Sequence, residues 1–358
     1  MLWQLTLCVQ VWRLVLELIS SVGNLQALLG RMRKQQTVLA MIGYFSTSLD
    51  TELNDQVGAS LRPSSCTLHA SSHVVVCMLQ LVEALGQIAA LPEGRALLVS
   101  QGCTEMLSKL MSHAYACDMP AVISKICGTI TMLCTDKQGK TAVGNAGLIK
   151  LMLSILSQTI AASKGTSVPP HIHAVLGALA NVVDEQSTPE LLDAESIRAF
   201  YSLLDRASRP ACIDIGLAVP TSKLLAACLR SSQSDFEATI EPMLPKLVGT
   251  LAAVLAAGPD QVLVGALCEL LLALTAGADQ RPDAFWAVVC SAELVAALMF
   301  CVEMHVESKD LACHMLPVLS LLVQHAATEA VSVARTAAIL GPLLRFNSNC
   351  RSRLGKAF

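Results

Sequence analysis

The sequence predicts an all-α chain assembled from repeated helical units, and three observations carry that prediction. Apolar residues recur at intervals of three and four along most of the chain, the spacing of one helix face. Hydrophobic residues make up 53% of the chain but aromatics only 4%, so Leu and Ala do the packing, which suits close-packed helices better than a β-sandwich. The third observation is self-similarity. "EGRALLVSQGCTEMLSKL" (93–110) lies above "QGKTAVGNAGLIKLMLSI" (138–155) at an offset of 45 residues, which sets Gly94 on Gly139, Arg95 on Lys140 and Gly102 on Gly147.

Taken from the N-terminus, residues 1–47 read as two helices broken at Ser21–Asn24, a cap or degenerate repeat closing one end of the array. Residues 48–72, "SLDTELNDQVGASLRPSSCTLHASS", have no apolar stripe and read as an exposed loop that need not be ordered. The array is expected over 73–346. It opens with the helix in "VVVCMLQLVEALGQIAAL" (74–91), and Pro92 with Glu93 starts the next. "AVISKICGTITMLC" and "HAVLGALANVV" repeat the first pattern. Thr188-Pro189-Glu190, Ser234 with Glu237, and Pro282 with Asp283 mark further helix starts. A third copy is "ALANVVDEQSTPELLDAESIRAFYSLL" (178–204); later copies open at "ATIEPMLPKL", "SAELVAAL" and "TAAILGPL". With Gly102, Gly147, Glu195, Glu241, Glu293 and Ala338 as markers, successive steps are 45 to 52 residues, giving about six repeats before a tail at 347–358.

Charge and cysteine usage narrow the function classes. The net charge is −3, so nothing funnels a polyanion, and nucleic acid is not an expected partner. The basic groups at 31–34 and at Arg345, Arg351, Arg353 and Lys356 read as solvated helix ends. The fourteen Cys include no Cys-x-x-Cys pair and lie mostly in apolar runs, as Cys77, Cys127, Cys134, Cys228, Cys268 and Cys301 do. With Arg13 and Glu17 interrupting the first segment, no secretory signal is expected. The reading is a reduced, cytoplasmic setting, with nucleus or cilium and cytoskeleton as further options. Three stretches without a charge (63–82, 165–183 and 311–328) each carry several polar groups, so no membrane span is expected.

Three constellations invite chemistry, and each has a plainer reading. "CTDKQGKTAVGNAG" contains Gly139-Lys140-Thr141 after a β-prone "TIT". A phosphate loop needs a further Gly five residues before Gly139, where the backbone turns sharply, and Cys134 stands there. The repeat explains Gly139 as a turn residue between helices and Lys140 as a solvated charge, so no nucleotide is expected. Cys66, His69, His73 and Cys77 share a helix face, but on a straight helix they span about 16 Å. Zinc bonds of about 2.0–2.3 Å would need a break near Ser71-Ser72. His171-x-His173 reads as a helix N-terminal turn. No nucleophile elbow, HExxH or paired carboxylate stands out, so no catalytic residue, metal or cofactor is assigned and no enzyme is expected.

A long helix, a charged turn, a short helix with "(E/K)-G-(R/K)-x-x-(L/V)", then Ala-Gly or Gln-Gly and another helix resemble the armadillo repeat. "CTDKQGKTAVGNAGLIKLMLSIL" matches best and "LPEGRALLVSQGCTEMLSKL" next. The resemblance spans roughly 70–346, strongest over 74–206; from about 213 the copies resemble HEAT repeats equally. It implies a right-handed α-solenoid whose third helices line a concave groove, and a non-enzymatic scaffold or adaptor. Groove residues implied by position are Glu83, Gln87, Met132 and Asn181, with Ser320 a looser match. In peptide-binding members an Asn amide at this position clamps the partner backbone with its donor and acceptor. Asn181 fits and Gln87 could act similarly, but Met132 could not, and the Trp array of nuclear-import adaptors is missing. The expected partner is a protein helix or extended segment, a helix suiting the apolar groove better. A structural subunit of a cytoskeletal or ciliary assembly is the alternative, and a nuclear-import-type adaptor ranks last.

Overall fold

The structure is a computed structural model that describes residues 67–162, 168–183, 194–208, 213–231, 240–258, 260–276, 283–305 and 308–325. Among them it is all-helical, with fourteen α-helices, one short 3-10 turn and no strand. The cap expected over 1–47, the helix starts at Thr188-Pro189-Glu190 and Ser234, the copy at 336–343 and the tail lie outside the described residues. The chain divides into two compact units, Met1–Val182 and Val183–Phe358.

The first unit contains α1 (Thr67–Ala89), α2 (Pro92–Ser100), α3 (Cys103–Ala116), α4 (Pro120–Leu133), α5 (Lys137–Asn145), α6 (Leu148–Ala162) and α7 (Pro170–Val182). A nine-residue helix twice separates two longer ones, α2 between α1 and α3 and α5 between α4 and α6. α4 packs along α1 on one side and α7 on the other, while α5 lies against α2 and α6 against α3. α1 reaches back to Thr67, so the loop expected over 48–72 gives way to helix before its end. Adding residues to a formed helix is easy once the downstream turns are nucleated and packed, which explains helix where the apolar stripe has faded.

Equivalent backbone solutions recur at the offset of 45. Gly102 and Gly147 both take φ 71°, a left-handed conformation that favours glycine, where the chain turns into α3 and α6. Gly94 and Gly139 do a different job. A Cβ on Gly94 would stand 1.9 Å from the Ile88 carbonyl oxygen, and one on Gly139 1.8 Å from that of Leu133. Gly139 is therefore not the turn residue the sequence suggested. It lies buried inside α5 and lets that helix press on the end of α4. Lys140 is half-buried rather than fully solvated. The "TIT" segment is helical, Thr129 and Thr131 bonding back to the carbonyls of Lys125 and Cys127 at 3.3 and 3.0 Å.

Two polar devices fasten these helices. The Gly139 N–H donates to Asp136 Oδ1 at 2.8 Å, capping α5. Arg95 Nε donates to Asp136 Oδ2 at 2.9 Å, and Arg95 Nη1 to the Ala89 and Ala90 carbonyls at 3.1 and 3.4 Å, closing the end of α1. α3 ends in a left-handed residue, Asp118 (φ 51°), with the Met119 N–H bonded to Ala114 O at 2.8 Å.

The second unit contains α8 (Ala194–Ala207), α9 (Ile215–Ser231), a 3-10 turn (Glu241–Met243), α10 (Leu244–Ala256), α11 (Gln261–Leu274), α12 (Asp283–Val289), α13 (Ala292–Met304) and α14 (Lys309–His325). α11 packs along α9 and α14, and α10 along α13, the same adjacency by rank as in the first unit. Asp260 and Ser291 cap α11 and α13 through the Leu263 and Leu294 N–H groups at 2.9 and 3.4 Å. The Cys301 thiol donates to Leu255 O at 3.3 Å, tying α13 to α10.

The core is aliphatic, as the composition implies. Cys103, Cys127, Cys134, Cys228, Cys268, Cys290 and Cys301 are buried. Burial pushes the thiols of Cys103, Cys127 and Cys301 up to about 12. Cys134 reaches about 12 as well, burial outweighing the opposing charge of Lys140. Among the described residues no single helix is long and apolar enough to cross a membrane; α5–α6 and α12–α13 reach such a length only as pairs bent by 67° and 48°.

Candidate functional site

The feature of the first unit that stands out is one surface built by three neighbouring helices. α1 buries Leu81, Val82, Ala84, Leu85 and Ile88 and turns Val76, Glu83 and Gln87 outward, with Ala90 exposed just past its end. α4 exposes Ala121, Lys125, Gly128 and Met132, with Thr135 exposed just past its end, and α7 exposes Pro170 and Asn181 with Ala174 and Gly177 half-buried between them. These stripes are in register. Val76, Glu83, Gln87 and Ala90 correspond to Ala121, Gly128, Met132 and Thr135 at 45 residues; Gly128 and Met132 correspond to Gly177 and Asn181 at 49.

Packing beneath the surface holds that register. The Thr129 hydroxyl, buried between the helices, donates to Val82 O at 3.0 Å. Gly86 gives it room, since a Cβ there would sit 3.2 Å from Thr129 Oγ1. Above, Lys125 Nζ stands 3.6 Å from Glu83 Oε1, a half-exposed pair. In water such a pair contributes little to stability, but it neutralises both charges on this face.

Four of the five residues expected in a groove thus share one surface. Glu83 and Gln87 are exposed on α1, Met132 is 44% exposed on α4, and Asn181 is exposed on α7. Ser320 lies on α14 in the second unit and is half-buried. The Asn181 amide donates from Nδ2 to Gly177 O at 2.8 Å, one turn back in its own helix. A clamp on a partner backbone would have to exchange that bond. Lys125, Gly128 and Gly177 also belong to the face; the correspondence of Gly128 with Gly177 at 49 residues was the signal that could have found the two glycines, and Lys125 left none.

The other constellations look different in three dimensions. Gly139, Lys140 and Thr141 are inside α5, and the Asp136 carboxylate already takes the N–H that an anion would use at its N-terminus. α1 runs without a break through Ser71 and Ser72, while Cys66 and the side chains of His69, His73 and Cys77 are outside the described set. His171 opens α7; burial lowers its pKa against the opposing charge of Asp118, and its Nδ1 is buried without a hydrogen bond. Among the described residues no three His, Cys, Asp or Glu side chains converge as a metal would need. His113 is buried with its Nε2 3.7 Å from the Cys117 thiol, whose pKa burial raises rather than lowers.

The surface sets Gly128, Ala174 and Gly177 beside a row formed by Gln87, Met132 and Asn181, with Glu83 and Lys125 paired. No family model, curated protein or solved structure matches the chain.

Proposed function

We propose that the chain is a non-enzymatic scaffold or adaptor of armadillo type, a right-handed α-solenoid of about six repeats that binds a protein segment along its third helices. The observation that carries this reading is the register of exposed stripes on α1, α4 and α7, with Gln87, Met132 and Asn181 at corresponding turns. A compact helical domain has no reason to expose corresponding positions on three successive long helices, whereas a surface that follows a partner from repeat to repeat does. Gly128 and Gly177 let a partner approach the helix backbones closely, and the neutralised Glu83–Lys125 pair suits an apolar partner face over a Lys/Arg peptide. The buried thiols of Cys103, Cys127, Cys134, Cys268, Cys290 and Cys301, none in a disulfide, support a cytoplasmic setting.

The test is photo-crosslinking from Gln87, Met132 and Asn181 in cells, with Ser154 on the exposed face of α6 as the control site. The same partner segment should be captured from all three and lost with Gly128→Arg. Identical captures from Met132 and Ser154 would sink the reading. The second reading, a structural subunit of a large assembly, is favoured by one observation: Val262, Phe300 and Met304 of the second unit are exposed at 61%, 39% and 58%.

A further inference from the structure

The second unit carries an apolar trough that the repeat itself does not require. α10 turns Pro245, Gly249, Ala253 and Ala256 outward, and its neighbour α13 exposes Ala296, Phe300 and Met304. The helices of the same rank in the first unit, α3 and α6, expose Glu105, Lys109 and Ser112, and Lys150, Ser154 and Gln158. A polar stripe therefore serves the fold equally well, and the apolar one needs another explanation.

The trough is an open concavity of about 490 Å³. Val248, Gly249, Ala252 and Ala253 of α10 line it together with Val288, Ser291 and Glu293. It follows α10 from Pro245 to Ala256, about 17 Å at ~1.5 Å rise per residue, or roughly three helical turns. Phe300 stands where α10 ends, its Cε1 3.4 Å from the Cβ position of Gly258. Small side chains along a wall let another helix approach closely, and Phe300 and Met304 give it a deformable apolar contact beyond.

Charge decides what fits. Glu293 lines the trough and Asp283 is exposed at the start of α12, against one base on α10, Lys246. A second copy of the chain would bring the same acidic set to the contact and be repelled. We propose that this trough docks an amphipathic helix of a partner protein, about three turns long, with an Ala/Leu-rich face flanked by Lys or Arg. The surface is separate from the α1–α4–α7 face and does not depend on it.

The experiment uses the full chain and two labelled synthetic helices read by fluorescence anisotropy, one with a Leu/Ala face flanked by Lys and one with the same face flanked by Glu. The Lys-flanked helix should bind, and more weakly as salt rises. Ala253→Trp, which fills the trough from an exposed position, should weaken it at least about tenfold, and Gly249→Leu should act in the same direction. Glu293→Lys should weaken it about three- to fivefold and improve the Glu-flanked helix. Ser154→Glu, in the first unit, should leave it unchanged. The proposal is overturned if the Lys-flanked helix fails to bind, if the Glu-flanked helix binds as tightly, or if the trough variants bind like wild type. A concentration-dependent dimer dispersed by Ala253→Trp would also overturn it, by assigning the trough to a second copy.

Discussion

Arg95 and Asp136, 41 residues apart in sequence, meet at 2.9 Å, and each serves a helix end besides the other. Arg95 closes the carbonyls at the end of α1 while Asp136 caps the start of α5. Arg95 is 15% and Asp136 42% exposed, so the ion pair is partly screened and the cap is the firmer contribution. Asp136→Ala is expected to cost about 1–2 kcal/mol in urea unfolding, with Asp136→Asn retaining part of the cap. A double-mutant cycle with Arg95→Ala should give a non-zero coupling energy. Additive costs would show that the pair contributes nothing.

The same contact gives an acid signature. Burial tends to raise the Asp136 pKa, but the Gly139 N–H and the hydrogen bond and charge of Arg95 prevail and hold it below the ordinary 3.8. A depressed carboxyl stabilises the fold above its unfolded pKa, and that stabilisation is lost as pH falls through the folded one. Stability of wild type and Asp136→Asn should therefore differ at neutral pH and converge below about pH 4. A difference that stays constant down to pH 2 would rule out the linkage.

Glycines sharing a helical setting should separate into two classes. Gly94→Ala and Gly139→Ala place a methyl within 2 Å of a carbonyl oxygen, so α2 or α5 must move, at a cost of about 2–3 kcal/mol or more. Gly128 and Gly177 have nothing within 4 Å of the added Cβ, and alanine there should stabilise by about 0.5–1 kcal/mol. Thermal melts of the four variants decide it.

Adjacent residues Met132 and Leu133 should differ as sharply. Met132 is 44% exposed and Leu133 wholly buried. Met132→Ala is expected to change stability by no more than about 0.5 kcal/mol, and Leu133→Ala to cost about 2–4 kcal/mol. A large loss from Met132→Ala would mean that α4 presents a different face.

Thiol reactivity should follow burial. With pKa values pushed up to about 12, Cys103, Cys127, Cys134 and Cys301 hold very little thiolate at pH 8. Half-buried Cys117 should be alkylated by iodoacetamide before any of them, with peptide mass spectrometry reading the order. Cys127 reacting alongside Cys117 in the native protein would reveal opening of the α1–α4–α7 layer.

What was legible in the sequence is what recurs by spacing. Gly102 and Gly147 occupy a backbone conformation that few residues accept, so their repetition survives as identical letters. Gln87, Met132 and Asn181 were reached through the position that the armadillo resemblance implies near the end of a third helix, and all three are exposed. The role of Gly139 was not legible, since spacing reveals recurrence but not which carbonyl lies 1.8 Å from an added atom. Nor was the partner of Arg95, because an ion pair between separate helices leaves no local pattern. The Asn181 bond to Gly177 depends on a rotamer, and the apolar trough on α10 and α13 emerges only when two faces are seen side by side.

The joints at Gly102 and Gly147 are defined by handedness more than by smallness. At φ 71° each accepts the mirror-image configuration of an amino acid without strain. A chain made by chemical ligation with D-alanine at both sites would follow the same path. It would also have fewer conformations to lose on folding, whereas L-alanine there would be strained. Chirality at two α-carbons is thus enough to tell a joint from a rod.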